Sequence, residues 1–196
     1  MFFSVVGMMF MACAADLITV FVGLELMAIS VYILVGYLRG NRKSNEAALK
    51  YFLLGAFSTG IFVYGTSLIY GVTGSTNLYE IGLAVRDGGA PSGMLLLALV
   101  LLTVALGFKV AAVPFHAWAP DAYEGAPTAI TAFISTAAKA AAFVVFIRVY
   151  AVAFQGLRDQ WTLLLAVLSV ASMTLGNITA LLQDNMKRML AYSSIA

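Results

Sequence analysis

Residues 106–127 read LGFKVAAVPFHAWAPDAYEGAP, and this segment places a charged residue where the chain is otherwise apolar. Lys109 lies near the end of a long apolar run, and Pro114 interrupts that run five residues later. A second lysine, Lys139, lies inside the next apolar segment, and Glu25 lies in the middle of an earlier one. A charge inside an apolar segment is costly to bury, so these three residues are the first candidates for a functional role.

The composition is that of an integral membrane protein. Hydrophobic residues make up 62% of the 196 residues and charged residues 10%, with a mean hydropathy of +0.97. A soluble domain is usually about one-quarter charged. The apolar segments reach the roughly 20 residues that a helix needs to cross a bilayer, and they lack the alternating pattern of a membrane β-barrel. We therefore predict an all-α, polytopic membrane protein, since a helix satisfies its backbone hydrogen bonds within one segment.

The order of apolar and polar segments predicts five complete spans, at residues 16–38, 46–70, 94–113, 128–154 and 161–182. Residues 1–15 are apolar but too short to span, and they are expected to be the end of a helix that begins outside the chain. A further helix begins after residue 188, so both ends are expected to belong to a larger bundle. Residues 71–93 predict an extramembrane loop, with a short amphipathic helix at 78–85 and a turn at 86–91.

Helix ends are predicted from capping residues and from proline. Asp16 is placed to cap the first complete span, and Ser44 or Asn45 to cap the second. Pro114 is expected to end the third span and to leave a carbonyl of the preceding turn without its donor, so that water can bind beside the nearby lysine. Residues 115–125 then predict a half-helix or re-entrant element. Interrupted helices of this kind lie at ion sites in transport proteins.

The lysines and arginines outside the spans are distributed unequally between the two sides of the membrane. One side carries Arg39, Arg42, Lys43, Lys187 and Arg188, and the other carries Arg86 and Arg158. Basic loops tend to stay in the cytoplasm, so the Arg39 side is predicted to be cytoplasmic. His116, Asp121 and Glu124 then fall on that side, where an aqueous entry route would be needed.

The three charges inside the spans predict a proton path. An ionisable side chain at mid-bilayer costs at least about 2.5–3.5 kcal/mol, so it needs a partner or water. Glu25, about 13 Å along its helix, can neutralise either lysine, with an attraction of about 4 kcal/mol at ~4 Å and an effective dielectric of ~20. Removal from water favours a neutral lysine and a nearby carboxylate favours a protonated one, so movement of Glu25 relative to Lys109 would act as a proton switch. Small and hydroxylated residues around Lys139 permit close helix contact or a thread of water.

Each candidate also has a structural interpretation. Glu25 and one lysine could form a static ion pair that only fixes helix register. Lys50, Lys187 and Arg148 lie near helix ends, where their charged heads can reach the lipid headgroups. His116 could relay protons near neutral pH or serve only as an interfacial residue.

The sequence offers little support for a metal, redox or nucleic-acid site. Its single cysteine, Cys13, excludes an internal disulfide and any multi-thiolate metal or iron–sulfur site. One histidine with Asp121 and Glu124 on an interfacial element is weak support for a metal centre. The net charge of +2 is spread over helix ends, so no nucleic-acid partner is expected. No Gly-rich phosphate loop or nucleophile elbow occurs, so catalysis of the soluble type is not predicted.

Four segments, in order, resemble the antiporter-like membrane subunits of respiratory complex I. They read FVGLEL at 21–26, ALKYFLLGAF at 48–57, VPFHAWAPDAYEGAP at 113–127 and KRMLAYSSI at 187–195. The resemblance covers essentially the whole chain and is strongest to the subunit N branch, whose counterparts are the mitochondrial and chloroplast subunits 2. It implies a bundle of about fourteen helices that contains two inverted five-helix repeats.

The resemblance implies a proton-translocating membrane-arm subunit of NADH:quinone oxidoreductase with no redox centre of its own. In that family a glutamate pairs with a lysine on a broken helix, and a second lysine lies on the following helix. These positions match Glu25, Lys109 and Lys139. NADH, FMN, iron–sulfur clusters and quinone are expected on other subunits. The expected partners are the other complex I membrane subunits and the lipid of a bacterial inner membrane.

The resemblance also implies a division of the chain. Residues 1–154 correspond to the first antiporter-like repeat, with a partial first helix and four spans, and residues 155–196 correspond to the start of the second. The charged residue that family members carry on the broken helix of the second repeat has no counterpart in this sequence. The exit half of the path is therefore expected to be absent, and this chain alone is not expected to pump.

Two other functions remain open at this stage. A subunit of a multi-subunit sodium/proton antiporter would share the broken helix and the buried lysines, and a dependence on sodium would favour it. A purely structural membrane subunit would keep the helices without needing the charges, so it would tolerate their replacement.

Overall fold

The computed structural model describes residues 1–88 and 93–196, and helices account for most of this part of the chain. The α-helices are α1 (Phe2–Cys13), α2 (Leu17–Val35), α3 (Arg42–Thr73), α4 (Leu78–Asp87), α5 (Gly93–Val110), α6 (Trp118–Gly125), α7 (Thr128–Phe133), α8 (Lys139–Arg148), α9 (Arg158–Leu181) and α10 (Met186–Ile195). A π turn at Ile134–Ala138 joins α7 to α8, and a second π turn at Val149–Ala153 follows α8. A 3-10 turn at Gln155–Leu157 leads into α9.

Five of these helical stretches are long and apolar enough to cross a membrane. They are α2, α3, α5, the continuous stretch Thr128–Ala153 and the stretch Gln155–Leu181. Large apolar side chains such as Ile33, Phe57 and Leu163 are exposed along them, as expected of surfaces that face lipid. The prediction of a helical protein that crosses the membrane several times is confirmed.

The start of α2 and the loop before α4 are attached to each other by the capping residue Asp16. Its Oδ1 accepts a hydrogen bond from the backbone N–H of Ile18 at 2.8 Å, so the predicted cap is confirmed. Its Oδ2 accepts from the hydroxyl of Thr76 at 2.6 Å. α4 covers the amphipathic helix predicted at 78–85, and the last part of the turn predicted at 86–91 lies outside the described residues.

α3 begins earlier than predicted because another residue caps it. Asn41 Oδ1 accepts from the backbone N–H of Lys43 at 2.9 Å, so the prediction of a cap at Ser44 or Asn45 is wrong. Ser44 lies inside the first turn of α3 and donates instead to the carbonyl of Val35 at 2.7 Å. This bond joins the start of α3 to the end of α2 and explains why the hydroxyl is not available as a cap.

α1 and α2 pack at backbone contact distance through two glycines. A β-carbon added at Gly7 would lie 2.5 Å from the backbone nitrogen of Met27 and 2.6 Å from the carbonyl oxygen of Gly23. One added at Gly23 would lie 2.7 Å from the backbone nitrogen of Met11. Small residues let membrane helices approach this closely, so the contact depends on the absence of both side chains.

α3 occupies a central place in the bundle. It packs against α2 on one side, against α5 on another and against the short helix α6 near its N-terminus. α6 in turn packs against α10, and α10 packs against α9. The largest fully buried side chains include Phe62 of α3 and Trp118 and Tyr123 of α6. The candidate residues on α2, α5 and α8 are therefore held around or near a common core.

Candidate functional site

α5 ends in a left-handed turn four residues before Pro114. Ala111 has a φ angle of 60°, a conformation that costs a non-glycine residue about 1–2 kcal/mol. The backbone N–H of Ala111 donates to the carbonyl of Phe108 at 3.1 Å, and that of Ala112 to the carbonyl of Gly107 at 2.8 Å. These two bonds form a Schellman motif, which closes the helix. The prediction that Pro114 ends the span is wrong, because the chain has already turned at Ala111.

The proline therefore lies outside the helix and removes none of its hydrogen bonds. A water site beside Lys109 stays a prediction. The carbonyl of Phe108 accepts a second hydrogen bond, from Trp118 Nε1 at 2.8 Å. Trp118 is 2% exposed, and its ring stacks on that of Tyr51 with centroids 4.3 Å apart. The first residue of α6 thus fixes the last turn of α5, in which Lys109 lies.

Lys109 is buried in that last turn, with 8% of its surface exposed. Its Nζ atom is inaccessible, has no hydrogen-bond partner in the described part of the chain, and lies 5.8 Å from the centroid of the Phe108 ring. The carboxylate of Glu25 is close enough to attract it electrostatically. The C-terminal end of a helix dipole also favours a cation here. The amine is thus buried near an opposite charge but is not bonded to it.

Glu25 is half-buried on α2 and is held by α3. Its Oε1 accepts a hydrogen bond from the hydroxyl of Thr59 at 2.7 Å, and Thr59 is 9% exposed. Among residues 1–88 and 93–196, no lysine or arginine nitrogen lies within 4.0 Å of the Glu25 carboxylate. Glu25 and Lys109 therefore lie near each other in an open arrangement. The sequence did not indicate Thr59, because 34 residues separate the two partners.

Lys139 is the first residue of α8, directly after the π turn, and is 7% exposed. Its Nζ donates to the carbonyl oxygen of Ser194 at 2.5 Å and to the Ser194 hydroxyl at 2.8 Å. π turns add one residue to a helical turn and are frequent at functional sites. The second lysine is therefore bonded to α10, a contact that no local sequence pattern predicts.

Ser194, the partner of Lys139, lines two separate cavities. The first has a volume of about 410 Å³ and is lined by Lys187 and by several hydroxyl groups, namely those of Tyr123, Thr128, Thr131, Ser135, Ser193 and Ser194. The second has a volume of about 400 Å³ and extends from Ser194 to Val110, which follows Lys109 in the chain. Both cavities therefore border the residue to which Lys139 is bonded, and the second also borders the residue that follows Lys109.

His116 lies in the turn between α5 and α6 and is half-buried. Its Nδ1 atom has no hydrogen-bond partner in the described residues, and its ring centroid lies 6.4 Å from that of Tyr192. Burial lowers the pKa of His116, which favours the neutral ring. Within the described residues, no group of three or more His, Cys, Asp or Glu side chains is arranged to hold a metal ion.

Five charged side chains from α3, α6 and α10 form a surface ion cluster. Lys43 Nζ lies 2.7 Å from Glu124, and Lys50 Nζ lies 2.9 Å from Asp121. Arg188 Nη1 lies 2.7 Å from Asp121 and 3.0 Å from Glu124. The cluster lines a cleft of about 190 Å³. Lys50, which the sequence places near the headgroups, therefore connects α3 to α6.

Two further basic side chains stabilise helix ends. Lys187, in the first turn of α10, donates from Nζ to the carbonyl of Ala126 at 2.8 Å. Arg148, near the end of α8, donates to the carbonyl of Ala12 in the last turn of α1. Both side chains bond to a helix C-terminus, where a cation is favourable.

Residues 14–196 match the family described as "NADH:quinone oxidoreductase/Mrp antiporter, TM". The chain belongs to this family. Among its relatives, NADH-quinone oxidoreductase subunit N of Trichlorobacter lovleyi is 57% identical over 99% of this chain and 40% of its own length. The chain spans about 40% of the length of the curated relatives it matches.

Two solved structures show the fold of this antiporter family over nearly the whole chain. Respiratory complex I from Thermus thermophilus contains a chain that is 41% identical, with a TM-score of 0.85 over 99% of this chain and 41% of that one. The Mrp complex from Dietzia sp. DQ12-45-1b contains one that is 27% identical, with a TM-score of 0.89 over 98% of this chain and 36% of that one. The predicted resemblance and the antiporter-like helical fold are both confirmed.

In this antiporter-family chain, the two carboxylates of the surface ion cluster have lowered pKa values. Burial raises the pKa of Asp121, but hydrogen bonds and charges from Arg188 and Lys50 outweigh it and hold the pKa below its usual value. Hydrogen bonds from Lys43 and Arg188 lower the pKa of Glu124 from its usual value. Such carboxylates stabilise the fold above their unfolded pKa, and this stability is lost as the pH falls through the folded value.

We expect the Glu124→Gln variant to lose part of this acid-dependent stability. At pH 7 it should be less stable than the wild type, because Lys43 and Arg188 lose a charged partner. At an acid pH below the lowered pKa of Glu124 the difference should shrink, because the wild-type carboxylate becomes protonated. Thermal unfolding of the purified full-length protein at the two pH values measures this, with Asp159→Asn, an exposed carboxylate outside the cluster, as the control. An equal difference at both pH values would contradict the prediction.

Proposed function

We propose that this chain is part of a proton-translocating membrane subunit of NADH:quinone oxidoreductase, in which Glu25, Lys109 and Lys139 relay protons. One observation carries the proposal. The Lys109 amine is buried without a hydrogen-bond partner in the described residues, although Glu25 lies within electrostatic reach. A group that alternates between neutral and protonated forms needs a carboxylate that is close but not permanently bonded. The name of the Trichlorobacter lovleyi relative supports the assignment to this enzyme.

The open arrangement argues against a static ion pair. A buried pair that only fixed helix register would need close contact and full hydrogen bonding to offset the loss of hydration. Glu25 is bonded instead to Thr59, a neutral donor that can hold the carboxylate in place without neutralising it. The carboxylate then acts on the Lys109 amine at a distance, and a small movement of either side chain changes that interaction.

The proposed route follows the two cavities that border Ser194, the first lined by hydroxyl groups and the second mostly by apolar side chains with three serines. Protons reach the Lys139 amine through the cavity lined by Lys187 and hydroxyl groups. From Lys139 the proton passes Ser194 and enters the second cavity, which is lined by Val110, the residue after Lys109. Glu25 then sets how strongly Lys109 holds its proton. His116 and Lys50, on or near the loop side of α6, are secondary candidates for residues through which protons enter the route.

The redox chemistry and the driving force are proposed to lie on partner subunits. NADH, FMN, iron–sulfur clusters and quinone would be bound there, and the membrane subunits of the same complex would contact this chain in the lipid of a bacterial inner membrane. We place the Arg39 face in the cytoplasm because most of the lysines and arginines outside the spans lie on it. We assign residues 1–154 to the first antiporter-like repeat and residues 155–196 to the start of the second.

A sodium/proton antiporter subunit is a second candidate, which the similarity to the Mrp complex favours. The two functions differ in the ion that is required. Replacing sodium by potassium in the assay should leave translocation unchanged for a proton relay and abolish it for a sodium-coupled antiporter. The measurement is proton uptake by vesicles that contain the complete assembly.

We expect Glu25→Gln, in the full-length subunit of the assembled complex, to reduce proton translocation about tenfold. Glutamine keeps an acceptor for Thr59 and a similar size, but it carries no charge to act on Lys109. Proton uptake by reconstituted vesicles during NADH oxidation measures the effect. Glu80→Gln, at an exposed carboxylate of α4, is the control and should retain translocation. A purely structural subunit would give equal rates for both variants.

A further inference from the structure

Tyr32 lies on α2 two turns after Glu25, and its hydroxyl is buried without a hydrogen-bond partner in the described residues. The residue is 7% exposed. Aromatic contacts fix the ring, since its centroid lies 4.7 Å from that of Tyr51 at an interplanar angle of 88° and 5.8 Å from that of Phe52. A buried tyrosine usually finds a partner, because an unpaired hydroxyl has lost its hydrogen bonds to water. Phenylalanine would fill the same space without that cost.

The Tyr32 hydroxyl lies at the same level of the bundle as Lys109. It rests against Gly55 of α3, where an added β-carbon would collide with the phenol oxygen. The hydroxyl of Ser58 donates to the carbonyl of Ala105 at 3.2 Å, and this bond sets the register of α3 against α5. The two spans are consecutive and run in opposite directions. Lys109 lies one turn after Ala105 on α5, and Gly55 lies one turn before Ser58 on α3. Because the helices are antiparallel, Lys109 and Gly55 lie at the same level.

Glu25 connects the phenol to the lysine. Its charge is within electrostatic reach of both Tyr32 and Lys109. Within the described residues one of its oxygens, Oε1, is bonded to Thr59, and a carboxylate has further lone pairs to offer. A phenol can donate one hydrogen bond and accept others. Tyr32 therefore lies near both members of the acid–amine pair and is bonded to neither.

We propose that Tyr32 is a positioning residue for the Glu25–Lys109 pair, a role that rests on the proton-relay function proposed above. Its hydroxyl is unpaired while the pair is apart, as in this structure; when the two approach, it accepts from the Lys109 ammonium or donates to the free oxygen of Glu25. The phenol keeps its own proton throughout, so the proton that moves belongs to the acid and the amine. Gly55 provides the space that the hydroxyl needs.

Tyr32→Phe in the full-length subunit of the assembled complex tests the proposal. Its thermal stability should equal or exceed that of the wild type, because the change removes an unpaired buried group. Proton translocation should fall about fivefold, the effect of one lost hydrogen bond, and its pH profile should shift. Tyr150→Phe is the matched control, since the Tyr150 hydroxyl is bonded to Thr103. That control should lower stability and leave the pH profile unchanged.

A second variant moves the hydroxyl instead of removing it. In Gly55→Ala the new methyl group collides with the phenol oxygen of Tyr32, so both translocation and stability should fall. Adding Tyr32→Phe to Gly55→Ala should recover part of the stability, because the colliding oxygen is gone. Translocation should remain low in the double variant. Recovery of translocation in the double variant would overturn the proposal, because packing alone would then explain both effects.

Two results for Tyr32→Phe and one for Lys109→Met would also test the proposal. A wild-type rate and pH profile in Tyr32→Phe would overturn the positioning role, while the relay function would stand as long as Lys109→Met has lost translocation. A loss of stability or assembly in Tyr32→Phe, with an unchanged pH profile for the complex that forms, would assign the hydroxyl to packing and overturn the proposal as well. Unchanged translocation in Lys109→Met would refute the relay function itself.

Discussion

Replacement of Lys109 by methionine is expected to reduce proton translocation by the assembled complex about a hundredfold or more, while the protein remains folded. The amine is the buried group that takes up and releases the proton in the proposed relay. Methionine is unbranched, apolar and flexible enough to fill the same space. The Lys109 amine forms no hydrogen bond in the described residues, so the substitution breaks none of those bonds. Loss of activity with retained stability would therefore separate proton exchange from packing.

Lys109→Arg is the matched control for this prediction. Arginine keeps the positive charge but does not release its proton at physiological pH, so this variant should also be inactive. Proton uptake per NADH oxidised, measured in reconstituted vesicles, checks both variants. Near-wild-type translocation in Lys109→Met would refute the relay. Near-wild-type translocation in Lys109→Arg would show that a positive charge at this position is sufficient for translocation. Lys139→Met should also stop translocation, at some additional cost in stability, because its amine donates two bonds to Ser194.

The Gly7→Leu variant is expected to destabilise the protein by about 3 kcal/mol or more, at or beyond the upper end of the usual range for overpacking. A β-carbon at Gly7 would lie 2.5 Å from the backbone nitrogen of Met27 and 2.6 Å from the carbonyl oxygen of Gly23. Backbone atoms cannot move aside as a flexible side chain can, so α1 and α2 would have to separate. We expect a lower unfolding temperature and a reduced yield of assembled complex.

Gly60→Leu provides the control for the glycine contact. Gly60 lies on an exposed face of α3, and a β-carbon there would meet no atom within 4 Å. The same substitution in the middle of a helix should therefore leave stability unchanged or slightly raised, because leucine is the better helix former. Equal stability of Gly7→Leu and Gly60→Leu would contradict the prediction, because it would show that α1 and α2 can separate to accommodate a side chain without loss of stability.

The fold could be predicted from the sequence because lipid restricts the chain to apolar helices. Segment length and hydropathy located the five spans, and Asp16 marked the start of the first complete one. Helix ends were less predictable. The break after Lys109 was assigned to Pro114, although the left-handed conformation of Ala111 makes the turn. Alanine gives no local signal of that conformation, which the surrounding contacts impose.

The candidate site could be predicted only in part. Glu25 and the buried lysines were evident because a charge in an apolar segment is costly. Their partners were not, since Thr59 and Ser194 lie 34 and 55 residues away from the groups they bond. The surface ion cluster was missed for the same reason, because its partners come from three different helices. Long-range contacts of this kind follow from helix packing, which the periodicity of a single sequence does not specify.

The wide turn at Ile134–Ala138 has a geometric consequence for Lys139, the residue that follows it. Each residue of an α-helix advances the chain by about 100° around the axis. A π turn contains one residue more than an α-helical turn. If that extra residue migrated past Lys139, the side chain would rotate by about 100° and leave Ser194, while the helix on either side stayed intact. The π turn would then allow the Lys139 amine to change direction without unwinding of the span.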